Sequence, residues 1–223
     1  MIKNLPKSQL GYIFLLGAVW GLSETALGLG IKSCAHMLSG SIMTGVAFFF
    51  MAACWSLTRN SLAVFLMIII TSLFKMFDAL LLSLPILHKA VANPVFTFFA
   101  EGMAFIIIIA VFNKELEQKK GGQAVMGGLA ALLAVNLFPL VRFVTGIPAC
   151  TLPHTVYPLS LYYAPVAIFL SFLTIPLGYS LGTKIKRLEN QLDKVNQRKI
   201  FNHLVSSTPI ILGILILVII RKI

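Results

Sequence analysis

Residues 11–31 read GYIFLLGAVWGLSETALGLGI, an apolar run that contains one charged residue, Glu24. An α-helix rises about 1.5 Å per residue, so about 20 residues cross the roughly 30 Å hydrocarbon core of a bilayer. The run therefore predicts a transmembrane helix, and similar runs recur along the chain.

The recurring runs predict the fold class. They cover residues 41–57, 61–83, 94–112, 123–145 and 159–183, and a weaker run covers 204–220. Asn93 and Pro94 predict the start of the fourth helix, with Asn93 as N-cap and Pro94 at the first helical position. We expect an all-α membrane protein, a polytopic bundle of six core transmembrane helices with a seventh C-terminal segment.

Composition excludes a soluble domain. Hydrophobic residues make up 58% of the 223 residues and charged residues only 11%, with a mean hydropathy of +0.93. A soluble chain of this length needs more charge than that. The net charge of +11 resides in basic residues that flank apolar runs. These residues are typical topology signals, so we expect no nucleic-acid partner.

The distribution of basic residues predicts the orientation. On one side of the predicted bundle, the loops between spans contain only Lys32 and Lys89. The other side carries Arg59 and the basic stretches 114–120 and 184–199. Cytoplasmic loops are enriched in Lys and Arg. The N-terminus is therefore predicted to be cytoplasmic, in a multi-pass protein of a prokaryotic inner membrane or a plasma membrane.

The chain divides into three predicted parts. Residues 1–183 form a six-helix substrate-binding core, 184–203 a cytoplasmic helix, and 204–223 include the seventh segment. The helix 184–203 is amphipathic, because apolar residues recur at three-to-four spacing among charged ones. It either lies on the anionic inner leaflet or extends the sixth helix into solvent. The apolar residues are Ile185, Leu188, Leu192 and Val195.

Five ionisable residues fall inside the predicted spans: Glu24, Lys75, Asp78, Glu101 and Arg142. Each costs about 2.5–3.5 kcal/mol at the bilayer centre, so we expect them to face the bundle interior. In the predicted orientation all five lie in the outer half of the membrane. They form either one polar cavity reached from outside or an internal salt-bridge network. Three acids and two bases leave one negative charge, which favours a ligand with an amine or a cationic ring.

Aromatic residues accompany these charges. Trp20 precedes Glu24 by four residues, and Phe98 precedes Glu101 by three, so stacking walls for a planar ligand are available. The candidate substrate-binding residues are Glu24, Trp20, Lys75, Asp78, Phe98, Glu101, Asn136 and Arg142. No metal or other cofactor is expected. The alternative is a metal site formed by the loop histidines His36, His88 and His154.

Small residues line one face of the first helix. Gly17, Gly21, Glu24 and Gly28 recur at spacings of four, three and four. Small residues at this interval allow close approach of a neighbouring helix. The neighbour is either another helix of this chain or a partner subunit.

Motifs of catalysis are missing from the sequence. It contains no G-x-S-x-G elbow, no H-E-x-x-H and no P-loop. We therefore expect a binding or transport subunit rather than an enzyme, with any ATP hydrolysis on partner chains.

Residues 11–183 resemble the substrate-binding membrane subunits (S components) of energy-coupling factor transporters. The resemblance rests on the small size, the six-helix core, the small-residue first helix around 17–24 and an outward-facing polar pocket. It implies uptake of a vitamin-like or cofactor-precursor molecule. It also implies docking of Gly17 and Gly21 onto a transmembrane coupling subunit that two cytoplasmic ATPases drive.

Two further functions stay open at this point. The buried charges also suit a structural or assembly subunit of a larger membrane complex. Alternatively, they suit a proton-coupled carrier with Glu24 or Glu101 as the proton site.

Overall fold

The computed structural model describes residues 7–31, 38–81, 85, 87–112, 114–146, 151 and 154–194. Within them the chain is helical, and an isolated bridge between Thr151 and Pro158 is its one extended pairing. The helices are α1 (Lys7–Ile31), α2 (Ser39–Thr58), α3 (Ser61–Leu81), α4 (Lys89–Val111), α5 (Lys114–Gln118), α6 (Lys120–Leu137), α7 (Val141–Thr145), α8 (Leu159–Tyr162) and α9 (Ala164–Lys194). The predicted all-α class is confirmed.

Five stretches of these helices are long and apolar enough to cross a membrane: Gln9–Leu27, Ser39–Thr58, Ala90–Val111, Lys120–Thr145 and Ala164–Gln191. In α3 the corresponding apolar stretch is the shorter Ser61–Phe77. Large apolar side chains also lie on the outer surface, among them Phe65, Phe143 and Phe169. Lipid tails tolerate such a surface, whereas water does not. The chain is thus a helical membrane protein.

Among the described helices, α2 and α9 form the most extensive contact. A Cβ atom on Gly178 would lie 2.3 Å from the Phe49 carbonyl oxygen, and one on Gly182 would lie 2.6 Å from that of Ala53. Only glycine therefore allows the two backbones to approach this closely. The Ser56 hydroxyl also donates a hydrogen bond of 3.2 Å to the Tyr179 carbonyl across the pair.

Helix α1 packs on α3 through its small residues. A Cβ atom on Gly17 would lie 3.0 Å from Ile70 Cβ, and one on Gly21 would lie 2.6 Å from Phe74 Cβ. The Thr71 hydroxyl of α3 is 3.1 Å from the Gly17 carbonyl oxygen. The neighbour of Gly17 and Gly21 is thus a helix of the same chain, and this face is already occupied.

The start of the fourth helix differs from the sequence prediction. Helix α4 begins at Lys89 with His88 as its N-cap, whose Nδ1 accepts a hydrogen bond of 3.3 Å from the Ala90 amide. Asn93 is therefore not the N-cap, and Pro94 lies inside the helix. The prediction failed because an Asn-Pro pair is compatible with a helix start but does not require one, and the histidine cap lies five residues earlier.

The fifth and sixth predicted spans are each interrupted. A 3-10 turn at Phe138–Leu140 separates α6 from α7, and Tyr163 separates α8 from α9. Pro139 and Pro165 lie at these breaks, where a missing amide hydrogen interrupts the helical ladder. From Ala164, α9 continues without a break to Lys194. Residues 184–194 thus extend the last long helix, and the predicted segment 204–223 lies outside the described residues.

Candidate functional site

Glu24 of α1 and Glu101 of α4 are both buried, with 3% and 2% of their surface exposed. Their carboxyl groups lie close enough to interact electrostatically. We call these two residues the carboxyl pair. Acidic side chains are rarely buried so completely unless a partner stabilises them. Two buried acidic side chains that interact with each other are therefore the least expected feature of this core.

Each member of the pair has an identified polar neighbour. Trp20 lies one turn before Glu24, and its indole Nε1 is 3.4 Å from Glu24 Oε1. The Thr44 hydroxyl of α2 contacts the Glu101 carboxyl group and also donates a hydrogen bond of 3.0 Å to the Gly40 carbonyl. Three helices, α1, α2 and α4, thus contribute to this site.

Glu101 keeps one oxygen without a partner. Among the described residues no donor lies within hydrogen-bond distance of Glu101 Oε1, although the atom is buried. Buried polar atoms in native proteins are almost always hydrogen-bonded, so an orphan of this kind calls for a ligand or a water molecule. Glu101 Oε1 is thus a buried acceptor that the described residues leave unsatisfied.

An aromatic pair adjoins the two carboxyl groups. The rings of Trp20 and Phe98 meet edge to face with centroids 5.2 Å apart, and both side chains are buried. Four of the predicted residues are therefore brought together by the fold: Trp20, Glu24, Phe98 and Glu101.

The remaining predicted residues differ in position. Lys75 is half-buried on α3, and the Asp78 side chain lies outside the described part of the chain. Asn136 is exposed on α6, where its Nδ2 donates a hydrogen bond of 2.7 Å to the Leu132 carbonyl one turn earlier. Arg142 is exposed on α7, and among described residues it forms no ion pair with Glu24 or Glu101. Neither Asn136 nor Arg142 joins the carboxyl pair.

Several polar residues that the sequence analysis did not select as site residues also carry buried atoms of this kind, and two of them lie on α3 and α4. Within the described range, Ser72 Oγ of α3 and Asn93 Oδ1 of α4 have no hydrogen-bond partner. Asn93, Thr97 and Glu101 recur every four residues, so they share one face of α4. This spacing is the signal that could have identified Asn93.

A second buried acid, Glu117 of α5, has many donors. Its Oε1 accepts hydrogen bonds from Trp55 Nε1 at 2.7 Å and from the Tyr179 hydroxyl at 2.9 Å, and it forms a salt bridge with Arg59. We call these four residues the Glu117 cluster. Arg59 ends α2 in a left-handed conformation, φ 51°, and its guanidinium lies 5.8 Å from the centre of the Tyr179 ring. The cluster joins α2, α5 and α9 and is fully partnered at that oxygen, which indicates a structural role.

The histidine alternative has little geometric support in the described residues. His88 uses Nδ1 to cap α4, His154 is exposed, and His36 lies outside the described part of the chain. No group of three His, Cys, Asp or Glu residues suited to a metal ion occurs in the described ranges.

Comparisons with protein-family models, with curated proteins and with solved structures found no match to this chain.

Proposed function

We propose that this chain is a membrane-embedded binding protein that holds a small cationic ligand between Glu24 and Glu101. The observation that carries the proposal is the carboxyl pair itself, with an orphaned oxygen on Glu101. Its natural counterpart is an amine or a cationic ring.

Electrostatics supports a cation over an anion. Two ionised carboxylates that interact electrostatically repel each other, and a positive ligand or a bound proton removes the repulsion. A ligand with N–H groups also donates to Glu101 Oε1, and charge-assisted hydrogen bonds are about twice as strong as neutral ones. A cation therefore satisfies both unmet requirements of the site.

The aromatic pair supports an organic ligand. Ligand sites are mostly apolar and contain a few polar groups that fix orientation. Trp20 and Phe98 provide the apolar wall, and an aromatic ring attracts a nearby organic cation through its π-electrons. Such an aromatic wall stabilises a bound vitamin-like amine more than it stabilises a bound metal ion.

We propose that the protein acts in the membrane as the specificity subunit of an ATP-driven importer. This is the role that the resemblance to S components implies. The N-terminus is then cytoplasmic and the carboxyl pair lies in the outer half of the bilayer. ATP hydrolysis belongs to partner chains. Because α3 covers Gly17 and Gly21, a coupling subunit must bind another surface or separate α1 from α3.

One observation favours a second candidate, the proton-coupled carrier. The Thr44 hydroxyl donates its hydrogen to the Gly40 carbonyl. Its oxygen can therefore accept a hydrogen bond from the protonated carboxyl group of Glu101. The site then holds a proton in place of the cationic ligand.

Native mass spectrometry of the purified protein tests the first candidate. We expect a retained molecule of a few hundred daltons in the wild type and its loss in Glu101→Gln. Uptake into vesicles separates the two candidates. Uptake that follows an imposed pH gradient in the absence of ATP and partner subunits supports the carrier and contradicts the importer.

A further inference from the structure

A groove of about 360 Å³ lies beside α4, away from the carboxyl pair. Its walls come from α3, from the start of α4 and from α7, and they include Met76, Leu87, Val95, Phe99, Val144 and Thr145. We call it the α4 groove. Its volume is within the range of small-molecule sites, about 300–1,000 Å³. Thr145 is the one polar residue among those that line it.

The groove is open on the surface of the bundle. Leu87 and Val144 line it and are 74% and 71% exposed. In a membrane such apolar surface contacts lipid tails and not water. The occupant with matching chemistry is therefore an acyl chain of a membrane lipid.

A basic residue, Arg142, lies one helical turn before a residue that lines this groove. Arg142 and Thr145 are three residues apart on α7, so they share one helix face, and Thr145 lines the groove. Arg142 is exposed, and among the described residues it forms no ion pair with an acid. A guanidinium at the edge of the hydrocarbon region is stabilised by a nearby anion.

The depth of Arg142 matches a lipid head group. The candidate membrane span Lys120–Thr145 has 26 residues, more than the roughly 20 that cross the hydrocarbon core. Arg142 lies in the last turn of that span, and a span of this length places its last turn near the phosphate layer. A guanidinium binds a phosphate through two parallel hydrogen bonds.

We propose that the α4 groove is a binding site for an anionic phospholipid, with one acyl chain in the groove and the phosphate on Arg142. The site is independent of the carboxyl pair and does not rest on the proposed function. It explains why Arg142 is not drawn into the bundle interior with the buried acids.

Lipid titration of the delipidated, detergent-purified protein tests this proposal. Native mass spectrometry measures binding of phosphatidylglycerol and of phosphatidylcholine with identical acyl chains. We expect the wild type to bind one phosphatidylglycerol about tenfold more tightly, because the choline cation of phosphatidylcholine offsets the attraction of its phosphate for Arg142. Arg142→Gln removes this preference, whereas the matched control Arg187→Gln, an exposed arginine of α9, retains it.

A second pair of variants tests the groove itself. Ala92 lines the groove and Ala110 is exposed near the other end of the same helix. Ala92→Trp fills the space and lowers binding of both lipids, whereas Ala110→Trp leaves binding unchanged. Equal affinity of the wild type for the two lipids, or equal binding by the two tryptophan variants, overturns the proposal. If Ala92→Trp does not fold, the arginine comparison alone decides.

Discussion

The Tyr179 hydroxyl of α9 donates a hydrogen bond of 2.9 Å to Oε1 of Glu117, a residue of α5 that lies 62 positions earlier in the chain. Trp55 and Arg59, at the end of α2, bind the same oxygen. Helix α5, which connects α4 to α6, is therefore hydrogen-bonded to both α2 and α9. Three donors thus bind one carboxylate oxygen of Glu117.

Tyr179→Phe removes one of these donors and keeps the ring. We expect the free energy of unfolding to fall by about 1.5–3 kcal/mol, because the lost hydrogen bond is to a charged acceptor. Thermal unfolding in detergent measures the change. Tyr157→Phe is the control, since Tyr157 is 68% exposed. Equal stability of the two variants would show that the cluster does not stabilise the fold.

Glu24→Gln and Glu101→Gln should each weaken ligand binding more than they weaken folding. Glutamine keeps the volume but removes the charge that a cationic ligand needs, so we expect a roughly ten- to hundredfold loss of affinity. Binding is measured with the molecule that native mass spectrometry identifies, alongside thermal stability without it. Glu115→Gln, an exposed acid of α5, is the control. If both variants unfold readily while the folded fraction binds normally, the carboxyl pair is structural.

Gly21→Ala should destabilise the contact between α1 and α3. The new Cβ would lie 2.6 Å from Phe74 Cβ, and such overpacking costs about 1–3 kcal/mol. Membrane insertion should be unaffected because alanine is the more apolar residue. Gly40→Ala is the control, since a Cβ there meets nothing within 4 Å. Unchanged stability of Gly21→Ala would mean that α1 does not pack on α3 in the membrane.

Gly178→Ala should destabilise the fold by a comparable or larger amount. Its Cβ would meet the Phe49 carbonyl oxygen at 2.3 Å, a backbone atom that a rotamer change cannot move. The control is Gly128→Ala inside α6, where the nearest atom is at an ordinary 3.5 Å. Alanine is favoured over glycine in a helix by about 1 kcal/mol, so the control should be neutral or stabilised. The difference between the two thermal transitions is the measured quantity.

The orientation has its own test. A reporter fused after Lys120 should be cytoplasmic, and one inserted near His154 should be extracytoplasmic, because basic residues accumulate on the cytoplasmic side. Alkaline phosphatase and green fluorescent protein fusions report the two sides. A cytoplasmic result at His154 would reverse the orientation and move the carboxyl pair to the inner half of the bilayer.

Local sequence determined the helices of this protein. Apolar length predicted the long helices, since a run of about 20 apolar residues requires no tertiary information to be recognised. The contact between Trp20 and Glu24 also follows from the sequence, because residues four apart share a helix face. The side-chain cap of α4 by His88 did not follow, because histidine is not among the residues that signal an N-cap.

Tertiary structure alone decided which charges meet. Glu101 approaches Glu24 while Arg142 lies on the surface, and Glu117 collects donors from α2 and α9. In a soluble protein an amphipathic pattern shows which face of a helix is buried. Lipid is as apolar as the core, so the rotation of a membrane helix depends on close packing at residues such as Gly21 and Gly178. Hydropathy is nearly uniform around α1, and only the packed structure distinguishes its faces.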